Sequence, residues 1–110
     1  MSTVSTHVLD TALGQPAAGV PVRLERLADG GTPLAEAVTG QDGRVAELGP
    51  DGLGPGTYRV VFDTGAYFGR TGQRAFYPEV AISFLVEAAD GHYHVPLVLS
   101  PFGYATYRGS

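Results

Sequence analysis

Apolar and polar residues alternate in short runs along this 110-residue chain. A β-strand sends successive side chains to opposite faces, so period-two alternation over about four to eight residues marks a half-buried strand. Eight stretches fit: 5–12 "STHVLDTA", 20–27 "VPVRLERL", 34–39 "LAEAVT", 43–48 "GRVAEL", 56–64 "GTYRVVFDT", 79–86 "EVAISFLV", 92–100 "HYHVPLVLS" and 103–108 "GYATYR". The segments "LGQPAAG", "ADGG", "QDG" and "PDGLGPG" separate them, supplying residues that tolerate positive φ or fix φ in advance. One connection, "TGAYFGRTGQRAFYPE", is long for a hairpin loop, and Ala66 to Arg70 within it lack alternation. A short helical turn is expected there. The pattern as a whole predicts an all-β sandwich of short strands, one domain over residues 1–110, with no internal repeat and no linker.

Composition narrows what such a domain does. The 16 glycines and 8 prolines leave little room for helices, in keeping with the strand reading. All seven basic residues are arginines scattered along the chain, and the net charge is −4, which argues against nucleic acid as a partner. With no cysteine, any chemistry falls to a carboxylate, a histidine or an arginine. The opening "MSTVSTHVLD" lacks a basic start and an apolar stretch, and no segment approaches membrane-spanning length, so a soluble cytoplasmic protein is expected.

Two of the three histidines stand one residue apart in "HYHVPLVLS". Alternation places Tyr93, Val95, Leu97 and Leu99 on one face, the core side, and His92, His94, Pro96 and Val98 on the other. Pro96 and Val98 sit poorly in water, so a second copy of the chain is expected over that face. Pro96 also lacks the N–H needed for a ladder bond, which predicts an edge position or a local irregularity. In the first strand Thr6 and Val8 oppose Ser5, His7 and Leu9. In the last, Phe102, Tyr104 and Thr106 oppose Gly103, Ala105 and Tyr107. If the three strands share a sheet, His7, His94 and Tyr107 converge.

Imidazoles on a mixed face serve proton transfer, bind a metal or do neither. Taken alone, His92 reads as a solvent-facing residue. A His-x-His strand with His7 as a third ligand is a conceivable metal site, but no suitably spaced acid flanks either strand. No G-x-S-x-G nucleophile motif, phosphate-binding glycine loop or helical zinc pair is present, and the glycines belong to turns.

The blocks "STHVLDTALGQPAAGVPV", "TGQDGRV", "FYPEVAISF" and "HYHVPLVLSPFGYATYRGS" resemble, in this order, those of the 5-hydroxyisourate hydrolases, the enzymatic branch of the transthyretin-like family. The resemblance spans nearly the whole chain, and the terminal "YRGS" is its most discriminating part. It implies a two-sheet transthyretin-like sandwich of seven to eight strands with one short helix, assembled as a homotetramer with active sites between subunits. The implied reaction is hydrolytic opening of the six-membered ring of 5-hydroxyisourate, giving 2-oxo-4-hydroxy-4-carboxy-5-ureidoimidazoline, with neither cofactor nor metal. The family's functional positions fall on His7, Arg44 and His94, with Tyr107, Arg108 and Ser110 of the tail joining His7 and Arg44 around the substrate. The hormone-carrying members look instead to have Lys, Glu and Thr at the first three positions. His7 and His94 then divide the acid–base work and Arg44 faces the substrate carbonyls or the oxyanion. Outside the resemblance, Arg44 reads as an exposed turn residue and the tail as frayed. Two other readings remain: a non-catalytic small-molecule carrier using the channel between subunits that the resemblance implies, and a monomeric β-sandwich interaction module.

Overall fold

The computed structural model describes residues 2–28, 30–87 and 91–110. Among them the chain forms nine strands and one helix: β1 (Ser2–Asp10), β2 (Gln15–Pro16), β3 (Pro21–Arg26), β4 (Thr32–Val38), β5 (Arg44–Val45), β6 (Gly56–Phe62), α1 (Thr64–Thr71), β7 (Val80–Val86), β8 (Gly91–Ser100) and β9 (Gly103–Thr106). They make two layers. One sheet runs β2-β1-β8-β9 with β5 also on β1, and the other runs β4-β3-β6-β7. Inward residues of both layers, among them Val4, Val8, Leu24, Val60, Phe62, Leu97 and Leu99, form one buried core. This is the all-β two-sheet sandwich that the alternation predicts.

The central pair of the first sheet, β1 and β8, is parallel and in continuous register from Ser2↔Gly91 to Asp10↔Leu99. Parallel neighbours need a long crossover, and here the whole of the second sheet lies within it. The register sets Ser5 beside His94 and His7 beside Pro96.

Three elements differ from the alternation. The stretch 43–48 pairs only through Arg44 and Val45, after which the chain leaves the ladder so that the Leu48 N–H reaches the Val4 carbonyl at 2.8 Å and its side chain enters the core. Residues 15–16, read as turn, pair with Leu9 and Asp10. The ladder of β8 with β9 stops short of Pro96 and resumes as a single bridge, His94↔Gly109, because Pro96 has no N–H to give. The sequence's expectation of an irregularity at Pro96 is met in this way.

The expected helical turn is a full eight-residue helix. Asp63 caps its start by accepting the Ala66 N–H at 3.0 Å, and Gly72 ends it in the left-handed conformation. The helix is tied to β1 through Asp10, which is 1% exposed. One Asp10 oxygen accepts the Tyr67 hydroxyl at 2.6 Å and the Gln73 amide at 3.0 Å, and the other accepts the N–H groups of Ala12 and Leu13. These four donors outweigh the burial that opposes ionisation and hold the carboxyl below its usual range, while burial and the adjacent carboxylate push the Tyr67 phenol up.

Candidate active site

The site lies on the outer face of the first sheet. Ser5, Thr6, Arg44, Val45, Ala46, His92, His94 and Ser110 line a cleft of about 240 Å³. That is below the roughly 300–1,000 Å³ of pockets for drug-sized ligands, so it suits a small ring. Arg44 reaches it from a tightly tied turn. Asp42 Oδ1 accepts the Arg44 N–H, the Gly40 N–H reaches the Arg44 carbonyl and the Gly43 N–H reaches the Gly40 carbonyl. Gly43 is needed there, since it has φ +77° and a Cβ on it would stand 2.4 Å from the Val8 carbonyl oxygen. Its close approach to β1 sets Arg44 opposite His7.

His94 is half-buried and held on two sides. Its Nδ1 lies 2.7 Å from the Ser5 hydroxyl, and its carbonyl accepts the Gly109 N–H at 2.9 Å. The tail passes so closely that a Cβ at Gly109 would come within 2.4 Å of His94 Cδ2 and 3.2 Å of Pro96 Cγ. Gly109 therefore lets the tail close over both residues and bring Ser110 to the cleft. The same passage covers Pro96, which is buried within the single chain, so part of the apolar outer face expected to need a second copy is covered by the chain's own end.

Burial, first, and then the positive charge of Arg44 and the neighbouring His92 and His7 push the His94 imidazole below its ordinary pKa, against a smaller opposing effect of the Ser5 backbone. Neutral imidazole is thus favoured where a base is wanted. His92 is exposed, as its sequence position suggests, yet both its nitrogens have partners: Nδ1 lies 2.7 Å from Thr3 Oγ1 and Nε2 lies 2.8 Å from the Ser5 hydroxyl. The two rings lie nearly parallel, 13° apart in plane, with centroids 6.4 Å apart. Among the described residues no three His, Asp or Glu side chains are grouped to hold one metal ion.

Of the residues singled out in the sequence, Arg44, His94 and Ser110 line this cleft, and His7 flanks it through its pairing with Arg44. Tyr107 and Arg108 line a different one, of about 460 Å³, at the open edge between the sheets with Phe84 and Tyr93. The Arg108 guanidinium stacks there 4.6 Å from the Tyr93 ring centre, and Tyr107 is 60% exposed. His94 borders both clefts. Sequence reading passed over Ser5, and it gave Gly109 no role beyond its place in the "YRGS" tail. Ser5 shares a face with His7 in the alternation, but its place beside His94 follows only from the parallel register.

A family model described as "HIUase/Transthyretin family" matches residues 4–109. A 5-hydroxyisourate hydrolase of Salmonella dublin is 48% identical over 109 residues, which cover 97% of this chain and 80% of that protein. The solved 5-hydroxyisourate hydrolase of Klebsiella pneumoniae is 40% identical with a TM-score of 0.89, covering 100% of this chain and 94% of that one. Transthyretin from Sparus aurata superposes equally well, with a TM-score of 0.90 at 33% identity, covering 97% and 96%. The backbone alone therefore does not separate the two branches. With the family model matching nearly end to end and 48% identity to a relative over 97% of this chain, this chain belongs to the HIUase/transthyretin family.

Proposed function

We propose that this protein is a 5-hydroxyisourate hydrolase, opening the six-membered ring of its substrate by adding water across a C–N bond. The carrying observation is that Arg44 and His94 line one small cleft, with His7 directly across the ladder from Arg44. Relatives at 48% and 40% identity bear the hydrolase name. His94, neutral through burial and the Arg44 charge, takes a proton from water as its oxygen adds to the ring carbonyl. Arg44 stays cationic and stabilises the oxygen as it becomes negative, a role for which its planar fork suits a planar ligand. The C–N bond then breaks, the departing nitrogen takes a proton from the histidine pair, and a carboxylate remains. His7 orients the water or returns the proton. Ser110 closes one wall.

The test is to generate 5-hydroxyisourate from urate with urate oxidase and follow its ultraviolet absorbance with and without the protein. Decay proportional to protein, lost in His94→Ala and cut about 100-fold or more in Arg44→Gln, is expected. Decay at the spontaneous rate from folded protein would favour the carrier reading, which the equally close backbone of transthyretin keeps in view.

The assembly we propose is a homotetramer in the cytoplasm. Exposed Val38, Phe76, Leu85, Phe102 and Tyr104 offer apolar surface to other copies. Among the described residues no helix is long and apolar enough to cross a membrane. Sedimentation equilibrium tests the assembly, since a stable monomer would refute it, and cell fractionation tests the location.

A further inference from the structure

Four side chains form an unbroken polar string leading away from the cleft: His94 Nδ1, the Ser5 hydroxyl, His92 Nε2 and Nδ1, and the Thr3 hydroxyl, with successive gaps of 2.7, 2.8 and 2.7 Å. Ser5 is 7% exposed, so its hydroxyl has little access to water and must satisfy itself on the two rings. A hydroxyl has one proton to give. If Ser5 donates to His92, then His94 Nδ1 carries a proton and donates to Ser5, and His94 Nε2 is bare. If Ser5 donates to His94, then His92 Nε2 carries the proton and His94 Nε2 is an N–H. The tautomers of the two histidines are locked together through one oxygen.

We propose that Ser5 and His92 act as positioning residues forming a proton relay that switches His94 between its base and acid tautomers. The inference rests on the hydrolase reading of the cleft. In the first state His94 Nε2 accepts the proton of the attacking water while its Nδ1 proton passes to Ser5. The Ser5 proton passes to His92 Nε2, the His92 Nδ1 proton to Thr3, and the Thr3 proton to solvent. In the second state His94 Nε2–H protonates the leaving nitrogen, and the string resets by taking a proton from solvent at Thr3. One proton leaves and one returns per turnover, so the string ends as it began. The alternative is a full imidazolium at His94, and burial, Arg44, His92 and His7 all disfavour that cation. The string instead passes the proton out through the exposed His92 ring to Thr3 and solvent, leaving both rings neutral.

Two substitutions separate relay from mere support. Ser5→Ala breaks the string, and Ser5→Thr restores the hydroxyl. His92→Gln can still bond Ser5, but an amide cannot exchange donor for acceptor by moving one proton. With 5-hydroxyisourate, kcat is expected to fall about tenfold or more in Ser5→Ala and His92→Gln with KM within about twofold, and Ser5→Thr to recover. In mixed light and heavy water, the rate of the native enzyme should vary with deuterium fraction along a curve, as several protons in flight require, and that of His92→Gln along a straight line. Native kcat with a curved dependence in His92→Gln overturns the relay. Imidazole ¹⁵N spectra of the substrate-free protein, taken where both rings are neutral, give a reading independent of turnover. Ser5→Ala should change the tautomer balance of both histidines together, and a change in neither overturns the proposal. A native protein that fails to hydrolyse the substrate, yet shows this coupled change, would refute the hydrolase reading and leave the coupled string standing.

Discussion

Gly109→Ala changes one hydrogen into a methyl group and should damage the site. The added Cβ would lie 2.4 Å from His94 Cδ2 and 3.1 Å from Cγ, where ordinary contact begins at 3.4 Å. Either the ring or the tail must therefore move by about 1 Å, the order of displacement that costs about 100-fold in rate when reacting groups are misplaced. Stability should fall by about 1–3 kcal/mol, the cost of forcing an extra methyl into a packed contact, partly offset by the backbone. Gly109 has no positive φ, so alanine meets no backbone strain there, and it restricts the unfolded chain to a benefit of about 0.4–1 kcal/mol. Against that stands the loss or bending of one bridge, the Gly109 N–H to the His94 carbonyl, worth about 1 kcal/mol. The assay is absorbance decay of freshly generated 5-hydroxyisourate, with thermal melting and sedimentation run on the same samples. A fall in kcat would point to a displaced His94, and a rise in KM to a displaced tail and Ser110. Native kcat and KM in a folded Gly109→Ala would refute the claim that the tail holds His94 in its working position.

Tyr67→Phe removes one of four donors from the buried Asp10 carboxylate and should cost about 1.5–3 kcal/mol in urea unfolding, whereas Thr11→Ala, at an exposed position beside it, should cost less. The Asp10 carboxyl is held below its unfolded value of about 3.9, so its contribution is present above that pH and is lost as pH falls through the folded value. Asp10→Asn should therefore flatten the acid limb of stability below about pH 4, and an unchanged limb would show the carboxylate to be uncoupled from folding. The lowered His94 pKa keeps the base form at lower pH than a free imidazole does. The acid limb of kcat/KM should thus have its midpoint below about 6.5. Arg44→Gln removes a positive neighbour, so the His94 imidazole should titrate at higher pH by NMR, and a downward shift would contradict the assigned electrostatics.

Much of the architecture was written in the chain's own periodicity. Alternation assigned Tyr93, Val95, Leu97 and Leu99 to the core, where they are buried, and put His94 with Ser5 and His7 on outer faces. Pro96 announced the gap in the β8–β9 ladder, and the loss of alternation after Thr64 announced the helix. These features are local: a missing N–H, a twofold repeat and a turn residue act on their immediate neighbours whatever the rest of the chain does. Alternation also marked His7 as a partner for His94, whereas Arg44 and the roles of the tail came from the family resemblance, since local rules leave them as a turn arginine and a frayed end.

Only the tertiary structure decided who meets whom. Alternation fixes the face of a residue and is blind to its partner, because sliding a strand by two positions keeps every face and changes every neighbour. The parallel register of β1 on β8 is what sets Ser5 against His94 across 89 positions of sequence and ties in His92. A neighbouring contact settled the tail: Tyr107 and Arg108 turn to the open edge of the sandwich, while Gly109 packs on His94 and carries Ser110 to the cleft. Periodicity determined the sheets and their faces because it depends on adjacent residues, and the site had to wait for the fold because it is made of residues that packing alone makes adjacent.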